Sequence, residues 1–290
     1  MFSRTVLFSG VLVVGTALLA GCGSSGAGSS KDTIVAAFYP IAFAAGQVVG
    51  KAAEVRNLTP AGAEPHDLEL TPGDVRAVRD AALVLYLGDG FMPGLETAVK
   101  ERSGRSIDLL AQLRQKEGNG EGPPRDPHVW LDPMRYAAMV RLIGSSLGDD
   151  AAAGRLDGRL EGLDAEFRRG LTGCERRQIV TSHAAFGYLA ARYGLEQVPL
   201  EGLSPEAEPS ARDLAHLVDL VRKSGATTVF FETLVSPKLA QTVAREAGVA
   251  TAVLNPLEGL TDDEIAAGAD YFSVMRSNLA ALQKALGCKK

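Results

Sequence analysis

The sequence predicts an α/β protein with two lobes, each a four-stranded parallel sheet flanked by helices, joined by a long rigid helix. Three observations carry this prediction. Short apolar runs rich in β-branched residues occur in two groups of four, helical patterns lie between them, and a long stretch without a strand signal separates the groups. Strands that alternate with helices form parallel sheets.

The predicted strands are short and evenly divided between the two halves of the chain. Those of the first lobe are residues 33–39, 54–60, 82–88 and 106–110, and those of the second are residues 178–183, 196–200, 227–233 and 251–255. The segment Thr71-Pro72-Gly73-Asp74 predicts a helix start, because it offers an N-cap, a proline at the first helical position and an early acidic residue.

The stretch between the two groups predicts one long helix. Apolar residues recur there at helical spacing and form a single stripe. A helix of roughly 20 residues is about 30 Å long, which suits a connector, although a surface helix within one lobe stays open. The predicted domains are a first lobe at 33–148, a linker helix at 149–173 and a second lobe at 174–290; the stripe consists of Leu156, Leu160, Leu163, Phe167 and Leu171.

The N-terminus predicts export and anchoring rather than fold. Residues 1–21 combine a positive start at Arg4 with an apolar core too short to span a bilayer comfortably. The end of this segment, "LAGC", resembles the lipobox of bacterial lipoproteins, which implies cleavage before Cys22 and its lipidation. Residues 22–32 then form a Gly/Ser-rich flexible linker. An ordinary signal peptide with a chance cysteine is the alternative.

Charge and cysteine content narrow the function classes further. The formal net charge is −5, which disfavours a nucleic-acid partner because basic patches are the usual mark of such binding. With Cys22 lipidated, Cys174 and Cys288 remain in an exported protein, where disulfides persist. We expect these two to pair, with two free buried thiols as the alternative.

Three of the four histidines lie in loops, two of them beside predicted strand ends or helix starts. His66 and His128 each follow a proline, and His183 ends a predicted strand. Ligands gather at the carboxyl ends of parallel strands, so these histidines could converge in one cleft. His216 falls off the apolar stripe of its predicted helix and is expected on the surface.

A metal site is the chemistry that three convergent histidines favour. Imidazole is a common metal ligand, and a site with three histidines needs a fourth donor, commonly a carboxylate or water. Glu258 follows the last predicted strand, in the same class of position as His183. The ligands are far apart in the sequence, so no local spacing motif supports the site and the residues alone leave it undecided.

Six segments, distributed from about residue 33 to residue 288, resemble a known family and favour the metal site. They are "AEPHDLELTP", "DPHVWLDP", "IVTSHAAFGYLA", "GLSPEAEPS", "VFFETLVSPKLAQTVARE" and "LNPLEGLT". Together they resemble the zinc-specific solute-binding lipoproteins of metal ABC transporters, the cluster A-I or ZnuA/TroA-like family. The resemblance implies that His66, His128 and His183 are metal ligands.

The resemblance leaves the fourth ligand variable. Manganese-type members use an aspartate where this chain has Asn255, whose amide is a poor metal ligand. Zinc members of the "NPLE" type offer a glutamate, here Glu258, with water as the competing ligand. Many zinc members also carry a His-rich loop, but the matching residues 115–127 contain no histidine, so a metal-collecting role for that loop is not supported.

The residues around His66 suggest further roles. Pro65 restricts the backbone before the ligand, and Glu64 is a candidate hydrogen-bond acceptor that would orient a ligand histidine. Asp67 is expected to be a solvated loop acid.

The implied function is capture of one Zn²⁺ per chain outside the cytoplasm and its delivery to an ABC transporter permease. The protein would be a lipid-anchored monomer on the extracytoplasmic face of the cell membrane, and not an enzyme. The alternatives are a manganese carrier, a zinc hydrolase and a surface adhesin. No H-E-x-x-H motif occurs in the sequence, which disfavours the hydrolase.

Overall fold

A computed structural model describes residues 1–2, 33–117, 126–203 and 211–289 of the chain. The predicted export signal after residue 2, Cys22, the whole of the predicted Gly/Ser linker and part of the histidine-free loop lie outside the described residues. Among the residues that are described, no helix is both long enough and apolar enough to cross a membrane.

The first sheet consists of four parallel strands in the order β2-β1-β3-β4. Each strand is followed by a helix, as an all-parallel connection requires. The strands are β1 (Thr33–Ala36), β2 (Glu54–Asn57), β3 (Leu83–Tyr86) and β4 (Arg105–Asp108), and the helices are α1 (Tyr39–Val49), α2 (Pro72–Asp80), α3 (Pro93–Glu101) and α4 (Leu109–Glu117).

The second sheet repeats the arrangement with the order β6-β5-β7-β8. Both sheets are therefore four-stranded and parallel, and the predicted fold class is confirmed. The strands are β5 (Gln178–Thr181), β6 (Glu196–Pro199), β7 (Thr228–Phe231) and β8 (Ala250–Val253), and the helices are α7 (Gly187–Tyr193), α8 (Ala211–Ser224), α9 (Lys238–Ala247), α10 (Asp262–Ala266) and α11 (Tyr271–Leu286).

Two helices lie between the sheets in sequence, α5 (Pro133–Leu147) and α6 (Asp150–Gly170), preceded by a short 3-10 helix at Val129–Leu131. Helix α6 has 21 residues, so it is about 30 Å long. The predicted apolar stripe of α6 and its C-terminal end is buried throughout, at Leu156, Leu160, Leu163, Phe167 and Leu171.

The local start signals explain several element boundaries. Thr71 is the N-cap of α2, as predicted, and it forms a capping box with Asp74. The first predicted strand is too long by three residues, since β1 ends at Ala36 and α1 begins at Tyr39. Pro40 lies in the first turn of α1, a position that favours helix, and this outweighs the strand propensity of the aromatic pair before it.

Cys174 and Cys288 are joined by a disulfide, and their backbones form an isolated antiparallel bridge. The bond ties the segment after α6 to the residue after α11, across a sequence separation of 114 residues. In the loop-entropy description, closing a loop of this length stabilises the folded chain by about 4–5 kcal/mol.

Candidate metal centre

Four loops from the two halves of the molecule meet in one place. His66 lies in the loop after β2, and His128 caps the 3-10 helix that precedes α5. His183 follows β5 by two residues, and Glu258 lies in the loop after β8. The structure thus brings together all four residues that the sequence proposed as metal ligands.

One carboxylate oxygen lies at the centre of this group. Oε1 of Glu258 is 3.0 Å from Nε2 of His128, 3.4 Å from Nε2 of His66 and 3.5 Å from Nε2 of His183. One donor atom from each of the four residues lies within 4.8 Å of all the others. In a zinc tetrahedron with bonds of about 2.0–2.1 Å, neighbouring donors are about 3.3 Å apart, so the group can close on an ion of that size with small movements.

The group is buried. His128, His183 and Glu258 have no exposed surface, and the side chain of His66 is 6% exposed. Among the described residues, neither Oε2 of Glu258 nor Nε2 of His183 has a hydrogen-bond partner. Buried polar atoms without partners are costly, and a bound cation would satisfy both of them.

Asp126 orients His128. Its Oδ1 accepts hydrogen bonds from the backbone N–H of His128 at 2.9 Å and from the ring Nδ1 at 2.8 Å. The second bond places a proton on Nδ1, and Nε2 points at Oε1 of Glu258, to which it can donate at 3.0 Å in the metal-free protein. Loss of the Nε2 proton would free its lone pair for a cation. Asp126 is itself fully buried, so it holds the ring in a fixed orientation.

Glu232 orients His183 in the same way. Its Oε1 contacts Nδ1 of His183 and accepts a hydrogen bond from the hydroxyl of Ser182. Glu232 directly follows β7, and His183 follows the neighbouring strand β5. A carboxylate on the second ring nitrogen fixes the tautomer and raises the basicity of the ligand nitrogen.

His66 is held by its backbone and by an aromatic neighbour. The backbone N–H of His66 donates to Oε1 of Glu64 at 3.2 Å, and the ring of Phe91 lies edge-on at a centroid distance of 4.5 Å. Glu64 therefore contacts the backbone of the histidine rather than its ring. Asp67 is exposed, as expected for a solvated loop acid.

The electrostatics of the group favour ionised partners. Burial raises the pKa of Glu258, but the close approach of the three histidine rings outweighs this and holds it well below its usual range. Burial lowers the pKa of His183, but its hydrogen bond to Glu232 and the nearby carboxylate of Glu258 outweigh this and raise it to about 10. Without a cation, the positive charge that Glu258 attracts is thus carried by protons.

The pKa values of His128 and Glu64 are also raised. Burial lowers the pKa of His128, but hydrogen bonds to Asp126 and Glu258 outweigh this and raise it above its usual value. Burial and the negative charge of Glu258 raise the pKa of Glu64 to about 8. At neutral pH the group therefore holds protons that a divalent cation would displace.

Contacts between the two halves hold the loops together. The indole N–H of Trp130 donates to the carbonyl of Pro256 at 2.7 Å, and the backbone N–H of Gly62 donates to the carbonyl of Leu260 at 2.9 Å. Both bonds join a loop that carries a histidine of the first half to the loop that carries Glu258. The group is consequently assembled across the interface between the halves.

Sequence reasoning missed Asp126 and Glu232. Both lie within segments that carry the family resemblance, "DPHVWLDP" and "VFFETLVSPKLAQTVARE". Their positions in the sequence could have identified them, because Glu232 lies at the end of a predicted strand and Asp126 precedes a candidate ligand by two residues. His216, the fourth histidine, is exposed on α8 as predicted.

The chain is similar in sequence to known zinc-binding proteins. The family described as the periplasmic component A of the zinc-uptake complex, ZnuA, matches residues 34–285. The zinc-binding lipoprotein AdcA of Streptococcus pneumoniae serotype 4 is 38% identical over 291 residues, which cover 92% of this chain and 58% of AdcA. The chain thus spans little more than half the length of the first curated relatives it matches.

Other relatives match from end to end. The high-affinity zinc uptake system protein ZnuA of Bacillus subtilis is 34% identical over 311 residues, which cover 96% of this chain and 98% of that protein. The crystal structure of the Zn(II)-bound ZnuA-like domain of S. pneumoniae AdcA has a TM-score of 0.73 and 38% identity, covering 88% of this chain and 98% of the domain. Both the fold and the sequence are similar to these proteins over most of the chain. The chain therefore belongs to the family of the periplasmic component A of the zinc-uptake complex.

Proposed function

We propose that this protein captures one Zn²⁺ outside the cytoplasm and delivers it to the permease of an ABC transporter, with His66, His128, His183 and Glu258 as the metal ligands. The observation that carries the proposal is the convergence of three imidazole nitrogens on one buried carboxylate oxygen, at 3.0–3.5 Å. The names of the relatives, zinc-binding lipoprotein and high-affinity zinc uptake protein, support the same cargo.

The donor set favours zinc over manganese. Three imidazoles and one carboxylate suit a four-coordinate Zn²⁺, whereas Mn²⁺ prefers more oxygen donors. The buried amide of Asn255 forms hydrogen bonds with protein groups and supplies no additional carboxylate. Selectivity against Cu²⁺ would depend on geometry and metal availability, since Cu²⁺ binds such ligands more tightly.

Delivery can use the division of the ligands between the halves. His66 and His128 precede α6 in the chain, while His183 and Glu258 follow it. Separation of the halves would therefore leave two ligands on each side, and an ion with two protein ligands is held far more weakly than one with four. Docking on the permease would favour this separated state.

The family consists of solute-binding proteins, and this chain is not an enzyme. Among the described residues, Asp126 and Glu232 accept hydrogen bonds from two of the histidines and Glu258 contacts all three rings, which supports a binding role. Neither the manganese carrier, the zinc hydrolase nor the adhesin is favoured by the comparisons.

We also propose the setting of this activity. The relatives named lipoproteins support an extracytoplasmic location at the membrane. The predicted lipidation at Cys22 would supply the anchor, and residues 22–32 would act as the flexible spacer. The protein would work as a monomer with the permease as its partner and without nucleic acid, in keeping with its net charge of −5.

The test is a competition between metals. The untagged chain from residue 23 to residue 290 is exposed to equal Zn²⁺ and Mn²⁺, and native mass spectrometry then measures the retained metal. We expect one zinc per chain, because the donor set matches its preferred coordination. Retention of manganese, or of no metal, would contradict the proposal.

A further inference from the structure

Asn255 connects the end of β8 to the loop that carries Glu258. It is 3% exposed. Its side-chain Nδ2 donates to the hydroxyl of Thr233 at 3.1 Å and to Oε1 of Glu264 at 3.0 Å. These bonds direct the amide toward protein partners, so the residue does not serve as a donor to the metal group.

The backbone of Asn255 is fixed by a second asparagine. Its N–H donates to Oδ1 of Asn278 at 2.9 Å, and its carbonyl accepts from Nδ2 of Asn278 at 2.7 Å. Asn278 lies on α11 and is 2% exposed. The side chain of Asn255 therefore projects from a backbone that is held at both of its polar groups.

The amide oxygen of Asn255 controls the residue before Glu258. Oδ1 accepts a hydrogen bond from the backbone N–H of Leu257 at 2.7 Å. Leu257 has a φ of 58°, in the left-handed region that residues with a side chain rarely adopt. Such a conformation persists only where its surroundings impose it, and it sets the direction in which Glu258 leaves the turn.

We propose that Asn255 is a positioning residue for zinc, and that it acts through the turn at Leu257 to hold Glu258 against the three histidines. This inference rests on the proposed function, because Glu258 must be a ligand for its position to matter. The two amide atoms act separately, since the oxygen accepts from Leu257 while the nitrogen donates to Thr233 and Glu264.

An aspartate could not replace this amide. Glu264 is an acceptor in this structure, since its Oε2 accepts from the backbone N–H of Thr261 at 2.8 Å and from the Thr261 hydroxyl at 3.1 Å. A carboxylate at position 255 would face the Glu264 carboxylate at the 3.0 Å separation of the present hydrogen bond. Repulsion between the two carboxylates would displace the turn that carries Glu258.

The test is a double-variant cycle on zinc affinity, measured by competition with a chromophoric chelator. We expect N255D to weaken zinc binding by about tenfold or more, the usual effect of losing a partner that orients a ligand. In an E258A background, N255D should change the affinity no further, because the residue acts through Glu258. An equal loss in both backgrounds would overturn the inference and assign Asn255 a general structural role.

A rescue variant completes the design. In N255D/E264Q, the glutamine can donate to the aspartate and still accept from Thr261, so the zinc affinity should return to within about threefold of the wild-type value, inside the tenfold loss expected for N255D. This variant also carries the test if N255D alone does not fold, and failure of the rescue counts against the inference. If the wild-type protein binds no zinc, the proposed function fails instead, so the two failures are distinguishable.

Discussion

Replacement of His128 by alanine is expected to weaken zinc binding by more than about 100-fold, the upper limit of the loss seen when only an orienting partner is removed. His128 supplies the nitrogen nearest to Glu258, at 3.0 Å, and it is fully buried. Its loss removes one of four donors and leaves Asp126 and Glu258 facing a cavity. Chelator competition at fixed pH measures the change.

The chain offers a matched control for this experiment. His216 is exposed on α8 and does not belong to the four-residue group, so H216A should bind zinc like the wild-type protein. Circular dichroism of the metal-free proteins would verify that H128A retains its fold. Wild-type affinity in a folded H128A protein would show that the histidine is not a ligand.

Zinc affinity is expected to rise steeply with pH, by up to about tenfold per pH unit for each proton displaced. The pKa of His183 is raised to about 10 and that of His128 is raised above its usual value. The ring of His183 therefore carries a second proton at neutral pH in the metal-free protein. The rise should continue above pH 6.5, the reference value for histidine, instead of levelling off there.

The same pKa shifts determine whether the stability of the metal-free protein rises or falls with pH. A raised folded-state pKa stabilises the fold below the unfolded value of about 6.5, and this contribution is lost as the pH rises toward the folded value. Zinc affinity and metal-free stability should thus change in opposite directions between pH 7 and 9. Calorimetry in buffers of different ionisation enthalpy counts the released protons, and affinity that does not change over this range would contradict the prediction.

The sequence predicts the fold well because the signals for it are local. The central strands β1 and β3 are short apolar runs, and the stripe from Leu156 to Leu171 specifies α6 without reference to the rest of the chain. The first predicted strand is too long because Phe38 and Tyr39 favour strands as isolated residues. Pro40, the second residue of α1, favours a helix start here, and this effect depends on its position within the first turn.

The candidate site is only partly readable from the sequence. His66, His128 and His183 precede or follow predicted elements, so their convergence is a reasonable expectation for parallel sheets. The roles of Asp126 and Glu232 depend on which ring nitrogen each carboxylate reaches, and only the folded geometry gives that. The role of Asn255 depends on a left-handed residue two positions later, which the sequence does not signal.

The central claim is that zinc is bound by three histidines and one glutamate between the two halves. A crystal structure of the zinc-loaded protein, with anomalous diffraction recorded on both sides of the zinc absorption edge, tests it most directly. We predict a single anomalous peak about 2.0–2.2 Å from the Nε2 atoms of His66, His128 and His183 and from a carboxylate oxygen of Glu258. A peak elsewhere, or a water molecule in place of the Glu258 carboxylate, would contradict it.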